Sequence, residues 1–312
     1  MRIFLAGATG AIGRQLVPML IAAGHEVTGT TRSGERAEWL RSQGARAAVL
    51  DALDETAVAA AVTEAAPEAV IHQLTSIPHR LDPRSIERDF ELNDRLRSEG
   101  TRILLSAARG AGARRIIAQS IAFSYAPTAP GTLHAESDPL LDDESSPASF
   151  RRSAASLRSL ESQVHEAGGM TLRYGYFYGP GTAISSTGST GQDVARRRLP
   201  VIGGGTGVWS LIHVRDAAAA TVSALTRGES GAYNIVDDEP ARVSEWIPAL
   251  AEVLGARPPR RVPALIARPL AGAYGIAAMT RAQGADNAKA RRELGWELGY
   301  PSWRRGFAEA LG

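Results

Sequence analysis

The sequence predicts an α/β fold, a doubly wound parallel sheet carrying a smaller C-terminal substrate-binding cap. Three observations predict it. Short apolar runs alternate with longer helical patterns through the first half of the chain. A glycine-rich turn, Gly7-Ala8-Thr9-Gly10-Ala11-Ile12-Gly13, joins the first apolar run to the first helical pattern. After Gly179 the alternation loosens, and glycines and prolines interrupt shorter segments.

Each element follows from its pattern. Ile3 to Ala6 reads as a strand and Ala11 to Ala23 as a helix stopped by Gly24. Glu26 to Thr30 is the second strand, followed by a helix through Gln43 that Gly44 ends. Arg46 to Leu50 is the third strand, Glu55 to Ala65 a helix, and Ala69 to Gln73 the fourth strand. A long helix is expected from about Pro83 to Arg109, then a strand from Arg115 to Gln119. Residues 126–147 hold prolines and acids without periodicity and read as a loop. A helix over Ala148 to Ala167 leads into a strand from Met170 to Tyr174. Later come a short strand, Trp209 to His213, and helices at Arg215–Thr226, Val243–Leu254 and Ala264–Met279. Such alternation implies parallel strands with right-handed crossovers. The expected division is a dinucleotide-binding domain over residues 1–178, joined again by 209–236, and a cap over 179–208 and 237–312.

Composition narrows the function. Of 312 residues, 44% are hydrophobic, enough for a substantial core. Thirty-five basic and 33 acidic residues leave a net charge of +2, which argues against the dense basic surface that nucleic acid binding needs. There is no cysteine, so disulfides, thiolate nucleophiles and Cys-ligated metals are excluded. Six scattered histidines show no metal-ligand spacing, and no metal is expected. A strand beginning near Arg2 leaves no room for a signal peptide, and no apolar run reaches the ~18 residues of a membrane span. A soluble, cytoplasmic protein is expected.

The glycine turn carries the first functional argument. Gly7 permits the tight turn, Gly10 lets the backbone approach a pyrophosphate, and Gly13 lets the helix pack close to the sheet. The amides of Thr9, Gly10, Ala11, Ile12 and Gly13 then face the phosphates at a helix N-terminus. NAD binders usually place an acid at the end of the second strand. Here Thr31, Arg32 and Ser33 stand there instead, which suits a 2′-phosphate, and NADP is expected ahead of NAD. Asp51 is placed either to accept from the adenine amine or to cap the next helix.

With these residues in view, the chain resembles the extended short-chain dehydrogenase/reductase superfamily, specifically its NAD-dependent epimerase/dehydratase-like group, which has a Rossmann-like fold. The resemblance rests on Gly7 to Gly13, Val70-Ile71-His72-Gln73-Leu74, Tyr178-Gly179-Pro180-Gly181, and Leu211-Ile212-His213-Val214-Arg215-Asp216. It continues through Gly231-Ala232-Tyr233-Asn234-Ile235 and the ending Arg291 to Trp296 with Tyr300 to Trp303. It implies further cofactor contacts from Ala52, Gln73, Leu74, Gln119, Tyr174 and Phe177, and a homodimer through helices near 84–109 and 148–167.

The same comparison exposes a departure. The family pairs a Tyr with a Lys four residues later, and the Lys lowers the phenol's pKa for proton exchange. Lys289 is the chain's single lysine, and Ala285 stands four residues before it. Aligning Glu161 with the acid that often follows the motif puts Ser153 and Leu157 where Tyr and Lys belong, and aligning Tyr125-Ala126-Pro127 with the family's Tyr-Gly turn puts Ile121 at the usual Ser/Thr position. Substitute proton donors are therefore sought among Ser120, Ser153 and Tyr176, the last as the preferred substrate-facing acid. Against these roles stand a backbone-bonded Ser120 and a Tyr176 that is only pocket wall. His79 and His134 lie in loops that could roof the site, and Arg196 to Arg198 could meet an anion or simply face water.

The expected function is an NADP-dependent oxidoreductase acting on a small, apolar or aromatic carbonyl or alcohol. Two alternatives stay open: a non-redox isomerase, lyase or cyclase on the same fold, and a non-catalytic NADP(H)-sensing protein.

Overall fold

In a computed structural model of the chain, the described residues are 1–78, 80, 85–129 and 131–311. His79, expected near the site, and the start of the helix expected from Pro83 lie outside them.

Six strands come first in the chain: β1 (Arg2–Ala6), β2 (Glu26–Thr31), β3 (Arg46–Val49), β4 (Ala69–His72), β5 (Arg115–Ile121) and β6 (Met170–Tyr174). With Gly231–Ile235 they form one seven-stranded parallel sheet, in the order Gly231–Ile235, β6, β5, β4, β1, β2, β3. The helices α1 (Ala11–Ala22), α2 (Gly34–Ser42) and α3 (Glu55–Ala65) connect the first four strands.

Strand alternation sets the two layers. Ile3 and Leu5 of β1 pack with Leu16, Val17 and Leu20 of α1 and with Ala217 and Ala220 of the helix Val214–Ser223. Phe4 and Ala6 point to the opposite face, against Val58 and Val62 of α3 and against Ile103 and Leu104. Helices thus cover both faces of the sheet, as expected of a doubly wound fold.

The long helix expected up to Arg109 is broken. It consists of α4 (Ile86–Asp89), α5 (Glu91–Arg95), a π-helical turn over Leu96–Gly100 and α6 (Thr101–Gly110). The π turn turns Leu96, Arg97 and Gly100 inward, where all three are buried. Next along the chain, α7 (Arg151–Glu166) buries Ser153, Leu157 and Leu160. The strand expected over Trp209 to His213 is also divided. Val208–Trp209 pairs with Ala241–Arg242, while Leu211–His213 pairs with Tyr176–Tyr178. Between the halves, the Ser210 hydroxyl donates to the Ala285 carbonyl and accepts from its amide. Asp54, not Asp51, caps α3, accepting from the Ala57 amide at 3.0 Å.

A second core lies beyond β6. Tyr178, Val201, Leu211, Trp246, Leu250, Trp303 and Phe307 pack together there. The helix Ala264–Thr280 is kinked at Gly272, whose φ of 62° departs from helical geometry. Among the described residues no helix is long and apolar enough to cross a membrane.

Asp237, just after the last sheet strand, is buried, and its Oδ2 has no hydrogen-bond partner among the described residues. Burial pushes its carboxyl up to about 9, with the charges of Glu239 and Asp238 adding to the shift. Between about pH 4 and about pH 9 the folded chain therefore holds a proton that the unfolded chain has released. Stability falls as pH rises through that window. Asp237→Asn is expected to melt above the wild type at pH 8, with the difference shrinking toward pH 4. Thermal melts across that range check it.

Candidate functional site

The carboxyl ends of the strands gather the site, beginning at the turn between β1 and α1. Gly7 adopts φ +86°, and a Cβ there would lie 2.5 Å from the Gln73 carbonyl oxygen. Its amide donates to Thr30 Oγ1 at 3.1 Å. A Cβ on Gly13 would lie 2.3 Å from the Ala8 carbonyl oxygen, so only glycine lets α1 approach this closely. Gly10 precedes α1 in extended conformation, and no side chain caps the helix. The first-turn amides of α1 have no intrahelical acceptor. The close glycine turn and the uncapped helix start fit a dinucleotide diphosphate, which the amides of Thr9 to Gly13 would hold.

At the end of β2, Thr31 Oγ1 accepts from the Ser33 amide at 3.2 Å, and Ser33 Oγ caps α2 through the Arg36 amide at 3.4 Å. Both oxygens thus shape the turn that presents Arg32, which is exposed to solvent. No acid stands at this strand end. Asp51 Oδ1 accepts from the Leu53 amide at 3.0 Å and shapes the loop after β3. Ala52 and Leu74 meet across a void of about 10 Å³ beside Thr30 and Leu50. A cavity of about 480 Å³ opens near His25, Glu26 and Arg46, at the amino ends of the strands. Open α/β sheets bind ligands at the carboxyl ends, so the glycine turn takes precedence over it.

Beyond β4 the polar groups lock one another. His72 Nδ1 accepts from the Leu74 amide at 3.2 Å, and Nε2 lies 3.0 Å from Thr101 Oγ1. Burial pulls this imidazole down to about 4, so it is neutral and its Nε2–H donates to Thr101. Gln73 Nε2 donates to the Tyr174 hydroxyl at 3.0 Å, and that hydroxyl meets Thr221 Oγ1 at 2.7 Å. Gln119 Nε2 reaches the Leu74 carbonyl at 3.4 Å. Phe177 packs at a tilt against Tyr174, with ring centres 5.3 Å apart. Gln73, Leu74, Gln119, Tyr174 and Phe177 are thus brought together along the ends of β4 to β6.

The serine candidates are internally bonded. Ser120 is fully buried and donates to Glu161 Oε1 at 2.6 Å. Glu161 also receives a fork from Arg173, Nε to Oε1 at 2.9 Å and Nη2 to Oε2 at 2.6 Å. Arg173 Nη1 donates to the Tyr125 hydroxyl at 2.8 Å, which donates in turn to Asn234 Oδ1 at 2.6 Å. Ser153 Oγ donates to Asp94 Oδ2 at 3.0 Å, and Ser156 Oγ to Asp94 Oδ1 at 3.1 Å. Beside them Leu157 is buried without polar function.

Tyr176 lies in an aromatic stack, with Phe123 at 4.0 Å on one face and Trp209 at 3.9 Å on the other. Its hydroxyl bonds to that of Tyr274, and burial pushes its pKa well above the ordinary phenol value. All four rings are half-buried, and Phe123 and Trp209 close both faces of Tyr176. Tyr274 also stacks on Phe150 at 4.9 Å. Sequence reasoning missed Phe123, Trp209, Asp94 and Arg97, because no spacing rule places them beside the residues it named.

Other candidates have structural places. His134 is buried rather than solvated, stacked on Tyr125 and bonded through Nδ1 to Asp138 at 3.0 Å. Arg197 Nε donates to the Pro258 carbonyl at 3.0 Å. Asp216 accepts from the Gly299 and Tyr300 amides at 3.0 and 2.8 Å, tying the C-terminal segment to the helix that His213 caps. Among the described residues no cluster of three or more His, Cys, Asp or Glu could hold a metal.

Comparison with known proteins agrees with this architecture. A 3-diazoavenalumate denitrifying reductase from a Streptomyces species is 45% identical over 309 residues, covering 98% of this chain and 99% of that protein. Among solved structures, the dTDP-glucose 4,6-dehydratase DesIV of Streptomyces venezuelae, with NAD bound, superposes with a TM-score of 0.78. It is 22% identical, covering 99% of this chain and 95% of that one. The UDP-glucose 4-epimerase of Thermus thermophilus, complexed with NAD, gives a TM-score of 0.77 at 23% identity, covering 99% and 97%. The model of the NAD dependent epimerase/dehydratase family matches residues 3–236, and the chain belongs to that family.

Proposed function

We propose that the chain is an NADPH-dependent reductase that removes dinitrogen from a small aromatic diazo compound. The observation that carries this reading is the loss of the family's phenol–lysine pair. Ser153 and Leu157 occupy the positions aligned with it, and Ser153 spends its proton on Asp94. Carbonyl reduction, expected from the sequence, builds an alkoxide that needs a positioned acid. Replacing dinitrogen by hydrogen leaves no alkoxide to be protonated, and loss of dinitrogen drives the reaction forward with a proton taken from solvent and no positioned acid. The relative that is 45% identical is named for a diazo substrate and for denitrification.

When bound, the nicotinamide would supply one hydride, which with one proton from solvent replaces the dinitrogen that leaves. The chain's residues do the rest. The α1 amides hold the diphosphate. Phe123 and Trp209, which sandwich Tyr176, are the rings of this stack whose outer faces could meet an aromatic substrate. Gln73 and Gln119 keep the ends of β4 and β5 in register beside the nicotinamide end.

The NADP preference rests on Arg32, exposed at the end of β2 where NAD binders place an acid. Arg32→Ala is expected to weaken NADPH binding about tenfold or more while leaving NADH binding unchanged, since a charge-assisted contact contributes about 1.5–3 kcal/mol. Calorimetric titration of both coenzymes checks it, and tighter NADH binding by the wild type would reverse the assignment.

The substrate reading is tested with aromatic diazo carboxylic acids and a matched panel of aryl ketones. One NADPH consumed per dinitrogen released is expected from the diazo compounds. Consumption with ketones alone would return the carbonyl reading. Conversion without NADPH loss would favour the non-redox alternative, and coenzyme binding with no conversion the sensing one.

A further inference from the structure

We propose that residues 196–201 and 257–270 form a docking surface for an anionic lipid bilayer. This surface shares no residue with the coenzyme turn or the aromatic stack, and it does not depend on the reaction proposed above.

Backbone pairing brings the two stretches together. Val201–Ile202 pairs in parallel with Arg261–Val262, and the Val201 amide donates to the Arg260 carbonyl at 2.8 Å. Arg197 Nε donates to the Pro258 carbonyl at 3.0 Å. Arg196, Arg198, Arg257, Arg260, Arg261 and Arg268 are all exposed along this edge. None of these six guanidinium groups pairs with a carboxylate among the described residues. Asp193, the acid nearest to Arg196 in sequence, is taken by Arg80. Residues 194–215 and 253–285 together hold nine arginines and no Asp or Glu. The rest of the chain holds 26 basic and 33 acidic residues, so these two stretches carry the chain's positive excess.

An apolar stripe adjoins the charge. Leu265, Ile266 and Leu270 are 81%, 67% and 68% exposed, more than any other large apolar side chain among the described residues. They lie on the outer face of the first turns of the helix Ala264–Thr280, opposite Ala264, Ala267 and Ala271, which pack on the second core. Arg268 falls at the edge of the stripe. Exposed aliphatic side chains gathered in this way mark an interaction site. The chemistry selects the partner. Unpaired guanidinium groups call for an anionic one, which argues against a second copy meeting the same face about a two-fold axis, where like charges would oppose each other. Single-stranded nucleic acid is held by basic grooves with aromatic stacking platforms, and this stripe is aliphatic. The three side chains stand proud of the surface, so a protein partner needs a matching groove, whereas the acyl boundary of a bilayer accepts them as they stand. Arginines around a short apolar stripe supply both signals of reversible bilayer binding, attraction to anionic headgroups and apolar insertion.

The test reads binding and needs no turnover. The full chain is mixed with vesicles of equal parts phosphatidylglycerol and phosphatidylcholine, or of phosphatidylcholine alone, and bound protein is measured by flotation. The wild type is expected to float with the anionic vesicles, to stay behind with the neutral ones, and to be released as salt is raised. Arg257→Glu with Arg261→Glu should lose at least about tenfold in vesicle affinity, and so should Leu265→Ser with Leu270→Ser. Arg109→Glu with Arg114→Glu makes the same change of charge at exposed positions before β5, and should lose less than about twofold. All three variants should melt with the wild type, since every altered side chain is exposed. The proposal is overturned if the anionic vesicles do not bind the wild type, if neutral vesicles bind it equally, if either surface variant binds as the wild type does, or if Arg109→Glu with Arg114→Glu loses as much. A chain that ignores vesicles but forms a dimer dissolved by Arg257→Glu with Arg261→Glu would assign the face to a protein contact, and lipid docking would fall. Absence of vesicle binding leaves the reductase reading standing, and failure of diazo reduction with intact vesicle binding would sink only that reading.

Discussion

Gly7→Ala is expected to abolish useful dinucleotide binding, with NADPH affinity falling at least about 100-fold, or about 2.7 kcal/mol. The methyl group would lie 2.5 Å from the Gln73 carbonyl oxygen and 2.9 Å from the Leu74 nitrogen, both backbone atoms that cannot swing aside. The residue would also be held at φ +86°, a left-handed conformation costing about 1–2 kcal/mol for a side-chain-bearing residue. Relief requires the turn to pull away from β4, which displaces the α1 amides from the phosphates. Gly10→Ala separates binding from folding. Its Cβ meets nothing closer than the Gly7 carbonyl at 3.5 Å, so the fold tolerates it. The methyl then occupies space the diphosphate needs. Expected results are a lowered melting temperature for Gly7→Ala, an unchanged one for Gly10→Ala, and weakened NADPH binding in both. Coenzyme binding by Gly10→Ala at wild-type strength would place the diphosphate elsewhere.

Glu161→Ala is expected to destabilise the protein by about 3–5 kcal/mol. Glu161 and Arg173 are each 6% exposed, and the carboxylate answers both arms of the guanidinium fork. Removing it strands the Arg173 charge between β6 and α7 and takes the acceptor from Ser120. The double change Glu161→Leu with Arg173→Met should recover much of the loss, because an apolar pair avoids the desolvation cost. Denaturant unfolding of the wild type, Glu161→Leu, Arg173→Met and the double variant measures the coupling. A single variant within about 1 kcal/mol of the wild type would show that water reaches and solvates Arg173.

Those two results concern different layers of legibility. The sheet was readable because β1 to β6 are short apolar runs at βαβ spacing, and Gly7, Gly10 and Gly13 announce their turn by position. Strand ends were less readable, since Ser210 divides one expected strand through a side-chain bond to residue 285, far along the chain. The helix before β5 was misread as continuous because its apolar period survives the π turn that buries Arg97. The departure from the family's active site was fully visible in sequence, since a chain with one lysine has few places to put it. Its consequence was not visible. Ser120 and Ser153 look like free hydroxyls until Glu161 and Asp94 are seen to hold them.

The central claim is that a nicotinamide seated at the β1–α1 turn reduces a diazo carbon without a lysine-tuned phenol. A direct measurement uses NADPH deuterated at nicotinamide C4 with an aromatic diazo acid, counting label in the product against dinitrogen evolved. The account predicts one deuterium per dinitrogen when the transferred position carries the label, in the wild type and equally in Ser153→Ala. Product free of label from both C4 epimers, or label transfer lost in Ser153→Ala while the coenzyme still binds, would contradict it.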